Sequence, residues 1–287
     1  MGERSEGGRV DLFGGHRRND ADHVFPDLGY ILEELDLQGY CILPGQMSAA
    51  ELEACRGDVD AQLARQEDSF GRENLRRIND AGVVRSPFLS SALIREQCLA
   101  GRVRAIADRV FRDRYILNLN RAAVSRPDDR HPAAIWHRDS SYVNFTSSRI
   151  LSLSFLHLID GSCADNGGVA LLPGSHRWEL FPSDEFARRN AVIPEIPSGA
   201  ILVFDSSLFH CGTTNRSAET RRSLLTVYTT PLYKQQVNFP QMIRDMGCEA
   251  IVDAIPEGRF LLGFDTEVCN SDDLYRRKKL AICADET

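Results

Sequence analysis

Hydrophobic spacing changes character once along this chain. In the first part it is helical. Leu52, Cys55, Val59 and Leu63 share one face of a 3.6-residue period, and Ser48 stands ahead of them with Glu51 three residues on, a capping box. This pattern predicts a helix of about four turns. A second helical stretch covers roughly Ser91–Arg112, with Leu93, Ile94, Leu99, Val103, Ile106 and Val110 as its apolar positions. Ahead of both, Leu32-Glu33-Glu34-Leu35 leads into Gly39-Tyr40-Cys41-Ile42-Leu43-Pro44, a short apolar strand ended by Pro-Gly.

From Tyr115 the period shortens toward two. Tyr115–Asn120 alternates at its end, and Ile150–Leu158 alternates throughout. Gly167–Gly174, Ala200–Asp205 and Ser223–Tyr228 are further apolar runs between turn residues. Several short strands with regular turn signals predict a mainly β protein with flanking helices, a sandwich or jelly roll of the cupin kind. The polar stretch around Phe181–Asn190 reads as a surface insertion or lid, and the basic cluster within Leu274–Ile282 as a solvated helix face.

The expected organisation is a flexible tail over residues 1–24, then a single domain over 25–287. Within it a helical part runs to about 113, a β core over about 114–232 and a C-terminal extension over 233–287. The 287-residue length is ample for a sizeable core, and 43% hydrophobic with 26% charged residues is ordinary for a soluble globular protein. A net charge of −7 argues against general binding to nucleic acid or anionic membranes. The eight cysteines form no CxxC pair and read as reduced thiols in a cytoplasmic protein. Residues 1–24 lack the apolar core of a signal peptide, and no apolar run of about 18 residues suggests a membrane span. A small-molecule partner is expected, on a monomer or homodimer.

The chemistry concentrates at His137, Asp139 and His210. On a strand, residues two apart face the same side, so His137 and Asp139 can meet one cation while Arg138 points away. His210 follows the apolar Leu208-Phe209 and supplies a second imidazole. Two imidazoles and a carboxylate are the facial triad of non-haem Fe(II) oxygenases. Such a triad leaves room for a bidentate 2-oxo acid and for O2. Arg221 lies eleven residues beyond His210, across a turn through Thr213–Ser217, and a guanidinium there suits the far carboxylate of 2-oxoglutarate. Ser223 shares its face. A register shifted by one would give Arg222 that role instead.

Trp136-His137-Arg138-Asp139-Ser140, Asn166-Gly167-Gly168, Leu172-Pro173-Gly174-Ser175-His176, His210-Cys211-Gly212-Thr213-Thr214-Asn215 and Arg221 together resemble the phytanoyl-CoA dioxygenase family. The resemblance extends over roughly residues 28–265, taking in Gly39–Gly45 and Leu261-Leu262-Gly263. It implies a double-stranded β-helix, Fe(II) held by His137, Asp139 and His210, 2-oxoglutarate held by Arg221, and Asn215 shaping the turn before that arginine. The implied chemistry is O2-dependent oxidation of a substrate C–H bond with release of succinate and CO2. Relatives that halogenate carry a small residue in place of the carboxylate, so Asp139 favours hydroxylation. Desaturation, epoxidation or epimerisation at the same centre are alternatives, as is a non-catalytic binding protein that keeps the metal.

Further candidates are Asn120 and Ser152 beside the co-substrate, and Asn118, Arg138, Tyr142 and Phe145 toward substrate. For Asn118 and Asn120 a plain buried hydrogen-bonding role is an equal alternative. Ser154 shares the face of Ser152. His157 reads as a core or surface residue and His176 as part of a turn.

Overall fold

The computed structural model describes residues 28–45, 47–99, 101–127, 135–140 and 145–285; the expected N-terminal tail lies outside them. The chain opens with helix α1 (Leu28–Leu37), which buries Leu28, Ile31 and Leu35, and turns into strand β1 (Tyr40–Leu43). Helix α2 (Ala49–Phe70) starts at the expected capping box: the Ser48 side chain accepts from Glu51 N and the Glu51 carboxylate accepts from Ser48 N. Such a cap contributes about 1 kcal/mol. The helix outruns its apolar stripe by two turns because no Gly or Pro lies between Leu63 and Gly71.

Helix α3 (Arg72–Arg77) and strand β2 (Val83–Arg85) follow. The single helical stretch expected over Ser91–Arg112 is two helices, α4 (Ala92–Leu99) and α5 (Gly101–Phe111). Gly101 has a positive φ of 54°, which breaks the run of helical dihedrals between them.

The remaining strands are β3 (Ile116–Ser125), β4 (Ser152–Leu158), β5 (Val169–Leu171), β6 (Ile201–Asp205), β7 (His210–Gly212) and β8 (Arg221–Thr229). They form a six-stranded antiparallel sheet of order β1-β6-β4-β8-β3-β2 and a two-stranded sheet of β5 and β7. Leu156, Leu158, Leu202, Leu225 and Val227 of the large sheet pack with Val169 and Leu171 of the small one. The opposite face of the large sheet, with Leu153, Phe155, Val203, Leu224 and Tyr228, is covered by the helices. Two sheets closing on one apolar core make a double-stranded β-helix, or jelly roll.

The region around Phe181–Asn190 is not a plain loop. Helix α6 (Asp184–Asn190) is capped by the Ser183 side chain and anchored by buried Ala187 and by Phe186 against Trp178. The C-terminal part adds α7 (Phe239–Met246), α8 (Ala250–Asp253), α9 (Gly258–Leu261) and α10 (Asp272–Asp285), the helix expected around Leu274–Ile282. No helix among the described residues is long and apolar enough to cross a membrane.

Candidate metal centre

His137 and His210 form an isolated antiparallel bridge. Each donates its backbone N–H to the other's carbonyl, at 2.9 and 3.0 Å. Residues directly opposite on antiparallel strands place their side chains on one face. The two rings accordingly lie 4.3 Å apart, centroid to centroid. Asp139, two residues along, joins the same face. Its Oδ1 lies 3.9 Å from His137 Nε2 and 3.8 Å from His210 Nε2. One ligand atom from each residue falls within 4.8 Å of the others.

The second hydrogen-bonding atom of each ligand is occupied. His137 Nδ1 stands 2.8 Å from Ile135 O, and His210 Nδ1 stands 2.9 Å from Leu208 O. A carbonyl partner requires the proton on Nδ1, which leaves the Nε2 lone pair of both rings for a metal. Asp139 Oδ2 accepts the Ser154 hydroxyl at 2.8 Å. Burial opposes ionisation of Asp139, but His210, Arg121, His137 and the Ser154 hydroxyl outweigh it and hold its pKa below the usual value. Burial pushes His210 down, which favours the neutral ring that metal binding needs.

Arg221 projects from the inner face of β8 and is 4% exposed. Its Nε donates to Asn166 O at 3.1 Å, but its Nη1 is buried with no hydrogen-bond partner among the described residues. Burial lowers its pKa to about 10, so it stays charged at neutral pH. Arg221 and Ser223 share an apolar-walled cavity with His137 and His210, closed by Leu156, Val169, Phe204 and Leu225. Arg222 lies on the opposite face. It bonds Asp60 through Nε and Nη2, both at 2.8 Å, and Asp160 through Nη1 at 2.9 Å. The turn ahead of Arg221 is tied by Asn215, whose amide donates to Ser125 O and Glu219 O and whose oxygen accepts from Ser217.

Two imidazoles and one carboxylate converge within the jelly roll on a site that could hold a metal as a facial triad, and the orphaned Arg221 nitrogen fits an anionic co-substrate in the adjoining cavity. The chain belongs to the phytanoyl-CoA dioxygenase family, whose profile matches residues 35–223. An uncharacterised Mycobacterium tuberculosis protein, Rv1501, is 27% identical over 257 residues, 87% of this chain and 92% of that protein. Dioxygenase olcK of Penicillium canescens is 34% identical over 131 residues, 42% of each chain. Among solved structures, EctD from S. alaskensis with 2-oxoglutarate and 5-hydroxyectoine aligns with a TM-score of 0.61 at 20% identity, over 79% of this chain and 84% of that one. The epimerase SnoN with Fe3+, alpha ketoglutarate and nogalamycin RO gives 0.57 at 17%, over 75% and 89%.

Other expected site residues fall elsewhere. Asn120 faces the helices, where its Oδ1 accepts from Phe88 N at 3.2 Å and its Nδ2 donates to Thr226 at 3.1 Å. The cause is a register shift between Leu117 and Leu119 that leaves Asn118 unpaired in the ladder and inverts the alternation beyond it. Asn118 lines an open cleft beside the ligands while its amide donates to Lys234 O. Ser152 stands off from the cavity: it donates to Ser206 at 2.7 Å, and Ser206 lies 2.8 Å from Ser154. Ser206 and Arg121 are the residues the sequence reading missed. Arg121 lines both the inner cavity and the open cleft.

Arg138 is 5% exposed and turns away from the ligands, as the alternation predicts. Its guanidinium donates to the carbonyls of Phe145, Ser175 and Trp178 and stacks 4.0 Å over Phe209. These contacts hold the loop, and the residue also lines the open cleft beside the candidate ligands. Phe145 is 45% exposed, and Tyr142 lies outside the described residues. His157 is a buried residue of β4, and His176 bonds Asp36 O within its turn.

Proposed function

We propose that this protein is an Fe(II)- and 2-oxoglutarate-dependent dioxygenase that hydroxylates a C–H bond of a small molecule, with specialised metabolism as its setting. Substrate, O2 and 2-oxoglutarate become hydroxylated product, succinate and CO2. The observation that carries this reading is the pairing, in one cavity, of two imidazoles with free Nε2 positions and a buried guanidinium with an unpartnered nitrogen.

His137, Asp139 and His210 would hold iron, which supplies the activation of O2. Arg221, with the Ser223 hydroxyl beside it, would bind the far carboxylate of 2-oxoglutarate. Leu156, Val169, Phe204 and Leu225 keep water from that end of the site. Asp139 supports hydroxylation over halogenation, because a carboxylate stands where halogenating relatives leave room for halide. The specialised-metabolism setting draws support from SnoN, which acts in nogalamycin biosynthesis.

The test is anaerobic titration of metal-free protein with Fe(II) and 2-oxoglutarate. A weak visible charge-transfer band should appear in the wild type and be lost in His210→Ala. Folded wild-type protein that gives no band would overturn the reading.

A further inference from the structure

A separate cavity of about 340 Å3 opens between α1, the end of α5, the segment leading into β4, the turn after β5 and the end of β6. It shares no lining residue with the metal cavity or with the open cleft. Its charged side chains are Arg109, Arg112, Arg149, Arg177, Asp36 and Asp205. Arg177 is committed, since it pairs with Asp36. The guanidiniums of the other three make no hydrogen bond or ion pair with any described residue.

Arg112 and Arg149 are exposed, and water can satisfy them. Arg109 is not served this way, because its Nε is buried and has no partner. The carbonyl end of α5 favours a cation at this place, but none of its carbonyls accepts from that nitrogen. A buried, charged donor without an acceptor is costly.

The lining charges do not balance. Burial pushes the Asp205 carboxyl up only to about 6, so it is ionised at neutral pH, while burial holds His176 neutral there. Four arginines then face two carboxylates, which leaves two positive charges over. A carboxylate would supply one negative charge and serve a single guanidinium fork. A phosphate group carries close to two charges at neutral pH, and its oxygens point in several directions. It therefore suits guanidiniums that approach from different elements, Arg109 and Arg112 from α5 and Arg149 from the segment before β4. The Ser147 hydroxyl accepts from Arg149 N at 3.2 Å, which leaves its proton to donate, and Ser148 stands beside it in the same wall.

We infer that this cavity is a binding site, apart from the metal centre, for a dianionic phosphate group, held by Arg109, Arg112 and Arg149. The volume lies in the range of small-molecule pockets, and Leu32, Val110 and Ile150 offer an apolar wall to whatever the phosphate carries. The net charge of −7 does not oppose this, since the local field in the cavity is set by its arginines. Nothing in the site depends on iron or 2-oxoglutarate.

The experiment titrates full-length protein, at neutral pH and constant ionic strength in chloride buffer, with inorganic phosphate, glycerol 3-phosphate, glucose 6-phosphate and acetate by isothermal calorimetry. At least one phosphate compound should bind once per chain and tenfold or more tightly than acetate. Arg109→Gln and Arg149→Gln should each weaken it tenfold or more. Arg276→Gln, which removes an exposed arginine of α10, should leave it within twofold. Equal affinity for inorganic phosphate and the esters would support the free anion as ligand, and a tighter ester would support an organic phosphate. Arg149 is exposed, so its variant keeps the test decisive even where Arg109→Gln does not fold. No saturable binding of any phosphate compound overturns the inference. So does binding that survives both Gln variants and is lost in Arg221→Ala, which would place the anion in the metal cavity.

Discussion

Ser154 donates to Asp139 Oδ2, and this leaves Asp139 Oδ1 as the oxygen turned toward both histidines. The direction of the bond is fixed by the carboxylate, which can only accept. Ser152 donates to Ser206, and Ser206 meets Ser154, so three hydroxyls form a chain that ends on the carboxylate. Ser154→Ala removes the final donor and frees Asp139 to rotate. Loss of such a ligand partner weakens metal binding about 10- to 100-fold. Co(II) titration followed by its visible spectrum should show that loss in Ser154→Ala and a smaller one in Ser152→Ala, two hydroxyls further back. Wild-type affinity in Ser154→Ala would remove Ser154 from the site.

Arg221 and Arg222 are neighbours with opposite tasks, and their alanine variants should separate cleanly. Arg221→Ala takes the buried cation out of the cavity, and the concentration of 2-oxoglutarate needed for half-saturation should rise about 100-fold or more. Unfolding in urea should change less. Arg222→Ala leaves Asp60 without its cation on the helix-facing side and leaves Asp160 with Arg56 alone. It should lower stability by about 1–3 kcal/mol and leave 2-oxoglutarate binding within twofold of wild type. Reversed results would mean that β8 is shifted by one residue.

Much of the geometry of this candidate site was legible because its spacing is local. His137-x-Asp139 and Arg221-x-Ser223 lie on single strands, where period two fixes which side chains share a face. The same rule separates Arg138 from its neighbours and Arg222 from Arg221. What failed depended on partners distant in sequence. The extra residue at Asn118 is visible only once β3 is laid against β8, and that one residue exchanges Asn120 for Arg121 at the site. Ser206 follows an apolar strand in a turn, and nothing local marks it as the link between two serines of β4. In the fold, six of the strands were readable as alternating or apolar runs, while the three-residue strands β2 and β7 were too short to show a period. The division between α4 and α5, and the helix within Phe181–Asn190, were not, since short helices take their stability from the surfaces they cover.

His157 gives a stability prediction with a definite sign. It is 1% exposed, and burial holds its pKa down to about 4 from the ordinary 6.5. As pH falls through 6.5 the unfolded chain takes up this proton, while the folded protein does not until about pH 4. The unfolded state binds more protons in that window, so folding stability declines with falling pH, by on the order of 3 kcal/mol across it. Asp205 acts in the opposite sense. Burial pushes its carboxyl from 3.8 up to about 6, so its contribution is full below 3.8 and lost as pH rises through 6. Replacing His157 with Leu removes the first contribution and leaves the second. Urea denaturation between pH 4.5 and 6.5 should then show a shallower loss of stability in the variant, or a reversed slope. A slope equal to that of wild type would mean that His157 is not buried neutral.

Gly39 joins α1 to β1 at a φ of 82°, a conformation that side-chain-bearing residues rarely adopt. A Cβ built there would stand 2.4 Å from His176 Nδ1 and 2.9 Å from Leu208 Cδ1. Neither neighbour yields easily. The His176 ring is held by Asp36 O, and Leu208 packs in the inner core two residues before the ligand His210. The carbonyl of Gly39 also accepts from Asp205 N, at the end of β6 and beside Ser206. Gly39→Ala should therefore act twice. It should lower stability by about 1–3 kcal/mol through backbone strain. It should also weaken Co(II) binding, because any shift of Leu208 moves the carbonyl that orients His210. Gly29→Ala, a helical position with open space around it, is the control: it should leave Co(II) binding unchanged and leave stability equal or raised by up to about 1 kcal/mol. Urea denaturation and Co(II) titration of the two variants decide the matter: loss of stability with unaltered metal affinity would show that the turn and the metal centre are mechanically independent.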